Sequence, residues 1–504
     1  MKISTLKQIV EKWLWVGVLF LLPLTSLPLI SRLTGGSAVA TPSTLFILLL
    51  IFVFFIPHIY QKGMLPVQSK PLIGFILVFI LAGTLAFFYQ IPIFRDTSII
   101  KNELEAIITL FIGVSFYFMA ACWGENESDL SFLLKLINIG GSLIIIWSLI
   151  QGYFTFVMQH YPEWMTQIQS IVSASGNLYY KRVAGFAYEP SWLAHQLNML
   201  FLPYWLSATV NRTSAFRFRL FRISLENVLL IGGVIILGIS FSRVGWLAFL
   251  VMVAYLFLRA SIWMIQFSQR KIFTRWKTSN SKQLVRKLIT VGLIFLLIIF
   301  YLALFLGTGW LLSKFDPRMA KLFNLNELRF DNLAVLANQL AFAERVVFWQ
   351  TGMEIFKAYP LLGVGPGNSG YFFQQKMVPF GWGLTEISTL LYRQTFIPNT
   401  KSLWVRILAE SGIVGFSFFA TWLILLWKSG ITLYHQASRT FKTLGLAGCL
   451  TIIGLLIEGF SIDSFALPYF WLSFGLMTSA FRIFANQANQ KLNPVSISED
   501  GDES

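Results

Sequence analysis

The chain has 504 residues, of which 56% are hydrophobic and only 12% are charged, and its mean hydropathy is +0.67. Soluble domains carry about 25% charged residues, so this composition argues against a soluble globular protein and predicts a membrane protein. The net charge of +16 comes from Lys and Arg that flank apolar runs, not from a basic platform interleaved with aromatic residues. This distribution argues against nucleic-acid binding.

Twelve apolar runs are candidates for membrane spans. A spanning helix needs about 20 mostly apolar residues, and a backbone in lipid must satisfy its own hydrogen bonds, so each run is predicted to be a helix. The predicted fold class is therefore an all-α polytopic membrane protein with about twelve transmembrane helices. The runs are 13–30, 43–57, 71–89, 104–123, 133–157, 192–210, 226–241, 244–265, 288–312, 402–427, 443–462 and 466–485.

A long polar segment interrupts these runs after the ninth. Within it, 334–359 has helical spacing that Pro360 ends, and three glycines around Pro366 predict a tight turn. The C-terminal end, SEDGDES, is too polar to build a core. The predicted organisation is transmembrane helices 1–9 in 1–312, one large folded extracytoplasmic loop with helical segments in 313–401, transmembrane helices 10–12 in 402–485, and a disordered cytoplasmic tail in 486–504.

The orientation follows from the positions of Lys and Arg in the loops, because cytoplasmic loops carry an excess of these residues. With twelve spans, the basic clusters all fall on one side, so both termini are predicted to be cytoplasmic. An acidic loop at 125–129 is the exception, and acidic residues count little in this rule. The basic clusters lie at the N-terminus, at 212–222, at 270–287 and at 439–442.

Three predicted outer segments each bring an arginine to the membrane boundary: Arg182, Arg243 and Arg345. An arginine at membrane depth costs about 2.5–3.5 kcal/mol on insertion scales, which a single residue can relieve by snorkelling. Three arginines on one face are harder to explain that way. The planar guanidinium binds phosphate oxygens bidentately and stays protonated, so the cluster predicts a lipid-linked diphosphate site. Further candidates are Arg318, Arg329, Arg393 and Lys401.

No metal or other cofactor is predicted. The acidic residues of this face include no D-x-D pair, so a divalent cation bound to a diphosphate is not indicated. Cys122 and Cys449 lie in apolar runs, and the four histidines are scattered without ligand spacing. The GVGPG sequence lacks the preceding strand and the following Lys-Ser/Thr of a phosphate loop, which argues against nucleotide binding.

Several segments together resemble the O-antigen ligase and O-antigen polymerase superfamily, and the resemblance covers most of 180–430. The stretches around Arg182 (RVAGFAYEPSWLA) and Arg243 (SFSRVGW) are similar to the family. The remaining motif residues are Arg345, then PLLGVGPGN at 360–368, then Asn399 followed by Leu403, Leu408, Glu410, Gly412, Ile413 and Gly415.

The resemblance implies a glycosyltransferase of the bacterial plasma (inner) membrane that transfers an undecaprenyl-diphosphate-linked oligosaccharide to an acceptor sugar hydroxyl, in O-antigen, exopolysaccharide or capsule biosynthesis. Implied partners are this lipid-linked glycan, the acceptor glycan, membrane lipid, a flippase and a chain-length regulator. Arg243 and Arg345 would be catalytic. The implied substrate-binding residues are Arg182, Asn399, Lys401, Gly365, Gly367, Asn368 and Glu410.

One position departs from the family pattern. The family's histidine before Asn399, held to be catalytic in the ligases, is Pro398 here, and proline cannot carry a proton. Glu189 is the predicted substitute base, because it lies at an outer helix start near Arg182, whereas His195 lies nearly two turns deeper. Glu410 is more readily explained as a helix-packing carboxylate paired with Lys401 or Arg406.

Several functions remain open from the sequence. The missing histidine and the EPSW sequence favour a polymerase over a ligase that moves the finished chain onto the lipid A core. A transporter related to bicarbonate uptake is an alternative of another class, and a glycan flippase is a further one. Against transport, the sequence has no repeated halves with broken helices, and Glu458 is the main carboxylate inside an apolar run.

Overall fold

The computed structural model describes 3–33, 41–63, 65–95, 97–216, 219, 221, 223–273, 342–392 and 397–492, and within 291–314 the residues 291–292, 295–296, 298–303, 306–307, 309–310 and 313–314. The α-helices are α1 (Ile3–Leu21), α2 (Pro28–Leu33), α3 (Ser43–Leu50), α4 (Ile56–Lys62), α5 (Lys70–Ala86), α6 (Ile99–Cys122), α7 (Glu127–Tyr153), α8 (Glu163–Val172), α9 (Pro190–Gln196), α10 (Leu202–Asn211), α11 (Leu225–Ile239), α12 (Arg243–Phe273), α13 (Ala343–Ala358), α14 (Phe373–Lys376), α15 (Thr385–Tyr392), α16 (Leu403–Tyr434), α17 (Arg439–Glu458) and α18 (Tyr469–Leu492). Single π-helical turns (Ile51–Phe55, Phe154–Met158, Leu197–Phe201) and 3-10 turns (Val67–Ser69, Asn368–Phe372, Pro379–Gly383) join or extend them.

The architecture is that of an all-helical polytopic membrane protein. Among the described residues, seven helices are long and apolar enough to cross a membrane, and α11 is apolar but shorter. The apolar run at 288–312 lies partly outside the described residues, so twelve spans stay a prediction. The seven helices are Ser43–Gln61, Val67–Ala86, Ile99–Cys122, Glu127–Met158, Arg243–Met264, Leu403–Tyr434 and Arg439–Glu458.

The centre of the bundle is built from aromatic side chains of α5, α16 and α18. The ring centroid of Trp422 lies 5.3 Å from that of Trp471 and 5.4 Å from that of Phe419. All three side chains are fully buried. Since lipid gives helices no hydrophobic drive to associate, such van der Waals packing and close backbone approach hold the bundle together. Such an approach occurs where α16 crosses α17, since a Cβ on Gly430 would lie 2.9 Å from the Gly445 carbonyl oxygen.

The longer connections meet at one end of the bundle, which we call the loop-bearing end. Main-chain hydrogen bonds join connections that are far apart in sequence: Ala174 N donates to Ser26 O (3.0 Å) and Leu403 N donates to Gly459 O (2.7 Å). Every buried backbone group needs such a partner, so these bonds fix the connections against each other. The connections at this end are 22–42, 87–98, 159–189, 240–242, 342–402 and 459–468, insofar as they are described.

The C-terminal ends of two helices can be compared with the sequence prediction: one agrees with it and one differs. Helix α13 ends at Ala358, just before Pro360 as predicted, but the first residues of the predicted helix, 334–341, lie outside the described residues. Helix α18 continues to Leu492, so 486–492 of the predicted disordered tail are helical. The sequence NQANQKL contains no helix breaker, and Pro494 disfavours helical backbone only from residue 493 onward. The remaining tail, 493–504, lies outside the described residues.

Helix α16 contains one residue that is not helical. Gly412 has φ +63° and ψ −167°, a combination that only glycine adopts readily. The break frees main-chain groups of α16 to bond the tight turn that follows α13: Ile413 N donates to Pro360 O (2.8 Å) and Val364 N donates to Ala409 O (2.9 Å). The glycine-rich turn is therefore seated in the interruption of α16.

Replacing Gly412 with alanine should destabilise the fold. A Cβ there would lie 2.1 Å from the Leu361 carbonyl oxygen, and the backbone conformation itself costs about 1–3 kcal/mol for other residues. We expect a clear loss of thermal stability for Gly412→Ala in detergent, measured by melting of the purified protein. Gly238→Ala is the control, because a Cβ on this helical glycine meets nothing within 4 Å. Equal melting temperatures for both variants would contradict the packing described here.

Candidate functional site

A polar cleft of about 300 Å³ opens at the loop-bearing end. Its walls come from α6, α9, α16, the segment before α16 and the loop after α17. The lining combines carboxylates, amides and one guanidinium with apolar side chains, and polar groups of this kind fix the orientation of a ligand. The polar lining residues are Asn102, Glu105, Thr109, Asn399, Arg406, Glu410, Asp463 and Ser464; the others are Ala106, Trp192, Gly367, Ile397 and Pro398.

An ion pair lies at the base of the cleft. Arg406 Nε donates to Glu410 Oε2 at 3.1 Å, one helical turn apart on α16, and the Glu410 side chain is 1% exposed. The other Glu410 oxygen accepts from Ser369 Oγ at 3.1 Å. Of the two partners considered from the sequence, Arg406 is the one that pairs with Glu410. Both carboxylate oxygens are thus occupied.

The same guanidinium also fixes the loop after α17. Arg406 Nη1 donates to the main-chain carbonyl of Asp463 at 2.8 Å, and the guanidinium lies 5.0 Å from the Phe465 ring centroid. The carboxylate of Asp463 remains on the cleft, and its Oδ2 is buried without a hydrogen-bond partner among the described residues. A buried oxygen without a hydrogen-bond partner is costly in a folded protein.

The glycine-rich turn supplies one side of the cleft through its main chain. Gly367 lines the cleft, and its carbonyl accepts from Asn102 Nδ2 at 2.6 Å. Asn368 is fully buried instead, where its Nδ2 donates to Glu103 Oε1 at 3.2 Å. Gly365 packs beside the same Glu103 oxygen. Of the three turn residues predicted to bind substrate, only Gly367 lines the cleft.

The segment before α16 carries two further predicted residues. Asn399 lines the cleft, and its Oδ1 accepts from Lys401 N at 3.3 Å. Lys401 is not among the lining residues; its ammonium lies 6.0 Å from the Phe348 ring centroid. Pro398, which is predicted to stand where the family carries a histidine, also lines the cleft.

Three other predicted residues meet at a second place, which we call the arginine corner and define as Arg182, Glu189 and Arg243. Arg182 Nε donates to Ser240 O at 3.2 Å, beside the start of α12, and Arg243 is the first residue of that helix. Glu189 caps the start of α9 and accepts from the Ser191 hydroxyl. The starts of α9 and α12 pack side by side, since a Cβ on Gly245 would touch that of Ala194.

The pKa of the Tyr179 phenol responds to two members of the arginine corner. Burial raises the pKa of its phenol, the Glu189 carboxylate raises that pKa further, and the Arg182 guanidinium lowers it. Both charged groups therefore lie within electrostatic reach of one side chain. The corner and the cleft are joined by α9, because Trp192 lines the cleft and its main-chain N donates to Glu189 O, one turn earlier.

The third predicted arginine contacts the loop after α17. Arg345 Nη1 donates to Ser461 O at 2.8 Å, two residues before Asp463. The loop is also supported from below by a buried network: Glu458 Oε1 accepts from Asn198 Nδ2 (2.7 Å), and Glu458 Oε2 lies 3.2 Å from His195 Nδ1. His195 is 2% exposed, so its imidazole is buried in the bundle away from the cleft lining.

Sequence reasoning missed several residues that line the cleft. Asn102 and Glu105 belonged to no motif, Trp192 was part of the EPSW sequence but was given no role, and Asp463 counted only as one acidic residue among many. Arg406 was considered only as a partner for Glu410, and its i, i+4 spacing was the one signal that could have found it. Within the described residues, no group of three or more His, Cys, Asp or Glu side chains could hold a metal ion.

Residues 228–420 match a family model described as O-antigen ligase. The resemblance to the O-antigen ligase and polymerase superfamily, predicted from the motifs, is thereby confirmed. The matched segment contains Arg243, Arg345, the glycine-rich turn and Glu410, whereas Arg182, Glu189 and Asp463 lie outside it. None of the curated proteins matches the chain.

Separating the buried ion pair should be costly. Removing one partner of such a pair typically destabilises a protein by about 3–5 kcal/mol, because the other charge stays buried and unpaired. We expect Arg406→Gln and Glu410→Gln each to lower the unfolding free energy in detergent, and the double variant to lose less than the sum. The exposed pair Lys357–Glu354 is the control, where about 0–1 kcal/mol is expected. Strictly additive losses at 406 and 410 would show that the two groups do not interact.

Proposed function

We propose that this protein is a membrane glycosyltransferase that transfers an oligosaccharide from undecaprenyl diphosphate to an acceptor sugar hydroxyl in bacterial surface polysaccharide biosynthesis. The observation that carries the proposal is the arginine corner beside a polar cleft, on a chain with an O-antigen ligase-type segment. Guanidinium groups at a membrane boundary suit a lipid-linked diphosphate, and the polar cleft suits a sugar that takes part in the transfer.

The chemistry needs little beyond positioning and charge neutralisation. The acceptor oxygen attacks the anomeric carbon of the donor glycan, and undecaprenyl diphosphate leaves with the bonding electrons. In the proposal, Arg182, Arg243 and Arg345 neutralise the charge that grows on the diphosphate, and Asn399 and Lys401 orient sugar or phosphate oxygens. The prenyl chain would lie between helices at the lipid-facing surface. No metal is needed in this scheme.

The reaction also needs a base that accepts the proton of the acceptor hydroxyl. Glu189 was the sequence-based candidate. In the structure its carboxylate accepts from the Ser191 hydroxyl, and it is not among the residues that line the cleft. It stays close, because Trp192 on the same turn of α9 does line the cleft. Glu189 is therefore one of two candidate bases, and the other is a carboxylate that lines the cleft itself.

The charge distribution supports a defined orientation. The end of the bundle opposite the loops carries basic residues: Arg212 follows α10, Arg439 begins α17, and Arg482 donates to four carbonyls at the end of α6. By the positive-inside rule this end is cytoplasmic. We therefore propose an inner-membrane protein with both termini inside and the loop-bearing end, including 313–401, outside, where lipid-linked repeats are presented after a flippase has moved them across.

Within this reaction class, a polymerase is favoured over a ligase. Pro398 lines the cleft where the ligases carry their histidine, so this chain departs from them at that position. The proposed polymerase joins one lipid-linked repeat to another, with a chain-length regulator as its expected partner. A transporter remains the alternative of another class, because Glu458 is a carboxylate inside the bundle; its oxygens, however, are engaged by Asn198 and His195.

Loss of an arginine should abolish polymer without preventing membrane insertion. We expect Arg243→Ala and Arg345→Ala to reduce polymer formation on the order of 10²–10³-fold, since each removes a group that neutralises developing charge. The test is a deletion strain complemented with wild type or either variant, followed by profiling of surface polymer and polyprenyl-linked glycans. Arg439→Ala is the matched control, an exposed arginine at the opposite end.

The glycans that accumulate in the deletion strain distinguish a polymerase, a ligase and a transporter. Single lipid-linked repeats with loss of long polymer would support a polymerase. Full-length lipid-linked polymer would indicate a ligase instead. Wild-type polymer in both arginine variants would overturn the proposed roles, and unchanged glycans in the deletion strain would favour a transporter.

A further inference from the structure

The cleft and the arginine corner have opposite electrostatic character. Of the described residues that line the cleft, Glu105, Glu410 and Asp463 are carboxylates and Arg406 is a guanidinium. Since Arg406 and Glu410 neutralise each other, the remaining carboxylates leave the described lining negative. A diphosphate placed there would meet like charge, which disfavours binding. The diphosphate of the donor therefore fits the arginine corner, and the cleft fits an uncharged sugar.

We propose that this cleft binds the acceptor sugar and that Asp463 accepts the proton of the attacking hydroxyl; the inference rests on the proposed function. Carboxylate and amide oxygens are the acceptors that sugar hydroxyls need, and Asn102 and Asn399 supply both donors and acceptors. Trp192 offers an aromatic ring to the sugar face. The volume of about 300 Å³ is at the small end of ligand sites, which suits a terminal sugar and not a long chain.

Among the carboxylates of the cleft, Asp463 is the one left available for proton transfer. Glu410 has one oxygen on Arg406 and the other on Ser369. The Glu105 side chain is 63% exposed and lies 4.0 Å from Lys101, so water and a cation already solvate it. Among the described residues, Asp463 Oδ2 accepts no hydrogen bond although it is buried. Asp463 is therefore the carboxylate of the described lining that is neither engaged on both oxygens nor largely exposed.

The position of Asp463 also fits the role. It lines the same cleft as Pro398, where the family carries its histidine, so a carboxylate on one wall can replace an imidazole on the other. Its main chain is held by Arg406, and Arg345 holds the same loop two residues earlier. A base must be fixed within hydrogen-bond reach of the proton that it removes, and these two guanidinium contacts supply that rigidity.

The step balances without any further reactant. The acceptor O–H bond breaks as its proton passes to the Asp463 carboxylate, and the acceptor oxygen forms a bond to the anomeric carbon. The bond from that carbon to the diphosphate oxygen breaks, and its electron pair leaves with undecaprenyl diphosphate. The arginines stabilise that leaving group. The proton then passes from Asp463 to water, which restores the carboxylate.

The test uses full-length protein in lipid nanodiscs and the polyprenyl-diphosphate oligosaccharide extracted from the deletion strain. We expect Asp463→Asn to lower the turnover at saturating substrate by about 10²–10⁴-fold, the usual range for loss of a general base. Its affinity for farnesyl diphosphate, used as a probe of the arginine corner, should not fall. The Arg406 contact should persist, because it is made to the main chain of residue 463. Asp463→Glu should recover part of the rate.

Two comparisons make the result specific. Glu189→Gln tests the competing candidate base directly, and its loss of turnover should be smaller than that of Asp463→Asn. Glu386→Gln, which changes an exposed carboxylate on α15, is the control and should retain full turnover.

The outcomes separate the two proposals. No turnover of the extracted lipid by the wild type would overturn the proposed function itself. An active wild type with an equally active Asp463→Asn, or with the loss at Glu189→Gln instead, would overturn the role of Asp463. A loss of turnover accompanied by a lower melting temperature or weaker farnesyl diphosphate binding would mark Asp463 as structural and overturn it as well.

Discussion

The arrangement of the loop-bearing end depends on the main-chain carbonyls that follow α17. The last carbonyls of a helix have no partner within it, and here the chain continues as a loop at the membrane boundary. Arg345 of α13 donates to Ser461 O, Arg406 of α16 donates to Asp463 O, and the start of α16 donates to Gly459 O. Helices from distant parts of the sequence are thus fixed through one short acceptor segment. The cleft exists because these donors hold that segment against α16.

Arg345 and Arg406 both donate to this acceptor segment, but they differ in how many of their other N–H groups are engaged. A guanidinium has five N–H donors, and Arg345 uses one of them on Ser461 O. This contact fixes its orientation, and among the described residues its other N–H groups donate to no acceptor. Arg406 is different, since its donors reach Glu410 and Asp463 and its side chain is only 12% exposed. Arg345 is thus suited to bind substrate, whereas Arg406 is suited to hold the groups that do.

The sequence predicted those features that depend on local pattern. The apolar runs predicted the helices because burying backbone in lipid permits few alternatives. Glu410 was predicted to pair with Lys401 or Arg406, and Arg406 is the partner. The sequence did not predict the cleft, because Asp463 and Asn102 reach it from elements more than 300 residues apart. Nor did it predict the break at Gly412, since one glycine in an apolar run does not by itself distinguish a kink from a continuous helix.

In the proposed reaction, the proton is accepted on a wall of the cleft other than the one that carries Pro398. A Cβ on Gly370 would lie 2.0 Å from the Pro398 carbonyl oxygen, so the backbone at residue 398 rests directly on the glycine-rich segment. Proline fixes φ and has no N–H to satisfy, which suits such a buried, extended position. In a chain with histidine there, a facing carboxylate could orient the imidazole while the imidazole moved the proton. In the proposed reaction, the guanidinium contacts supply the orientation and Asp463 takes the proton; its Oδ2 accepts no hydrogen bond among the described residues.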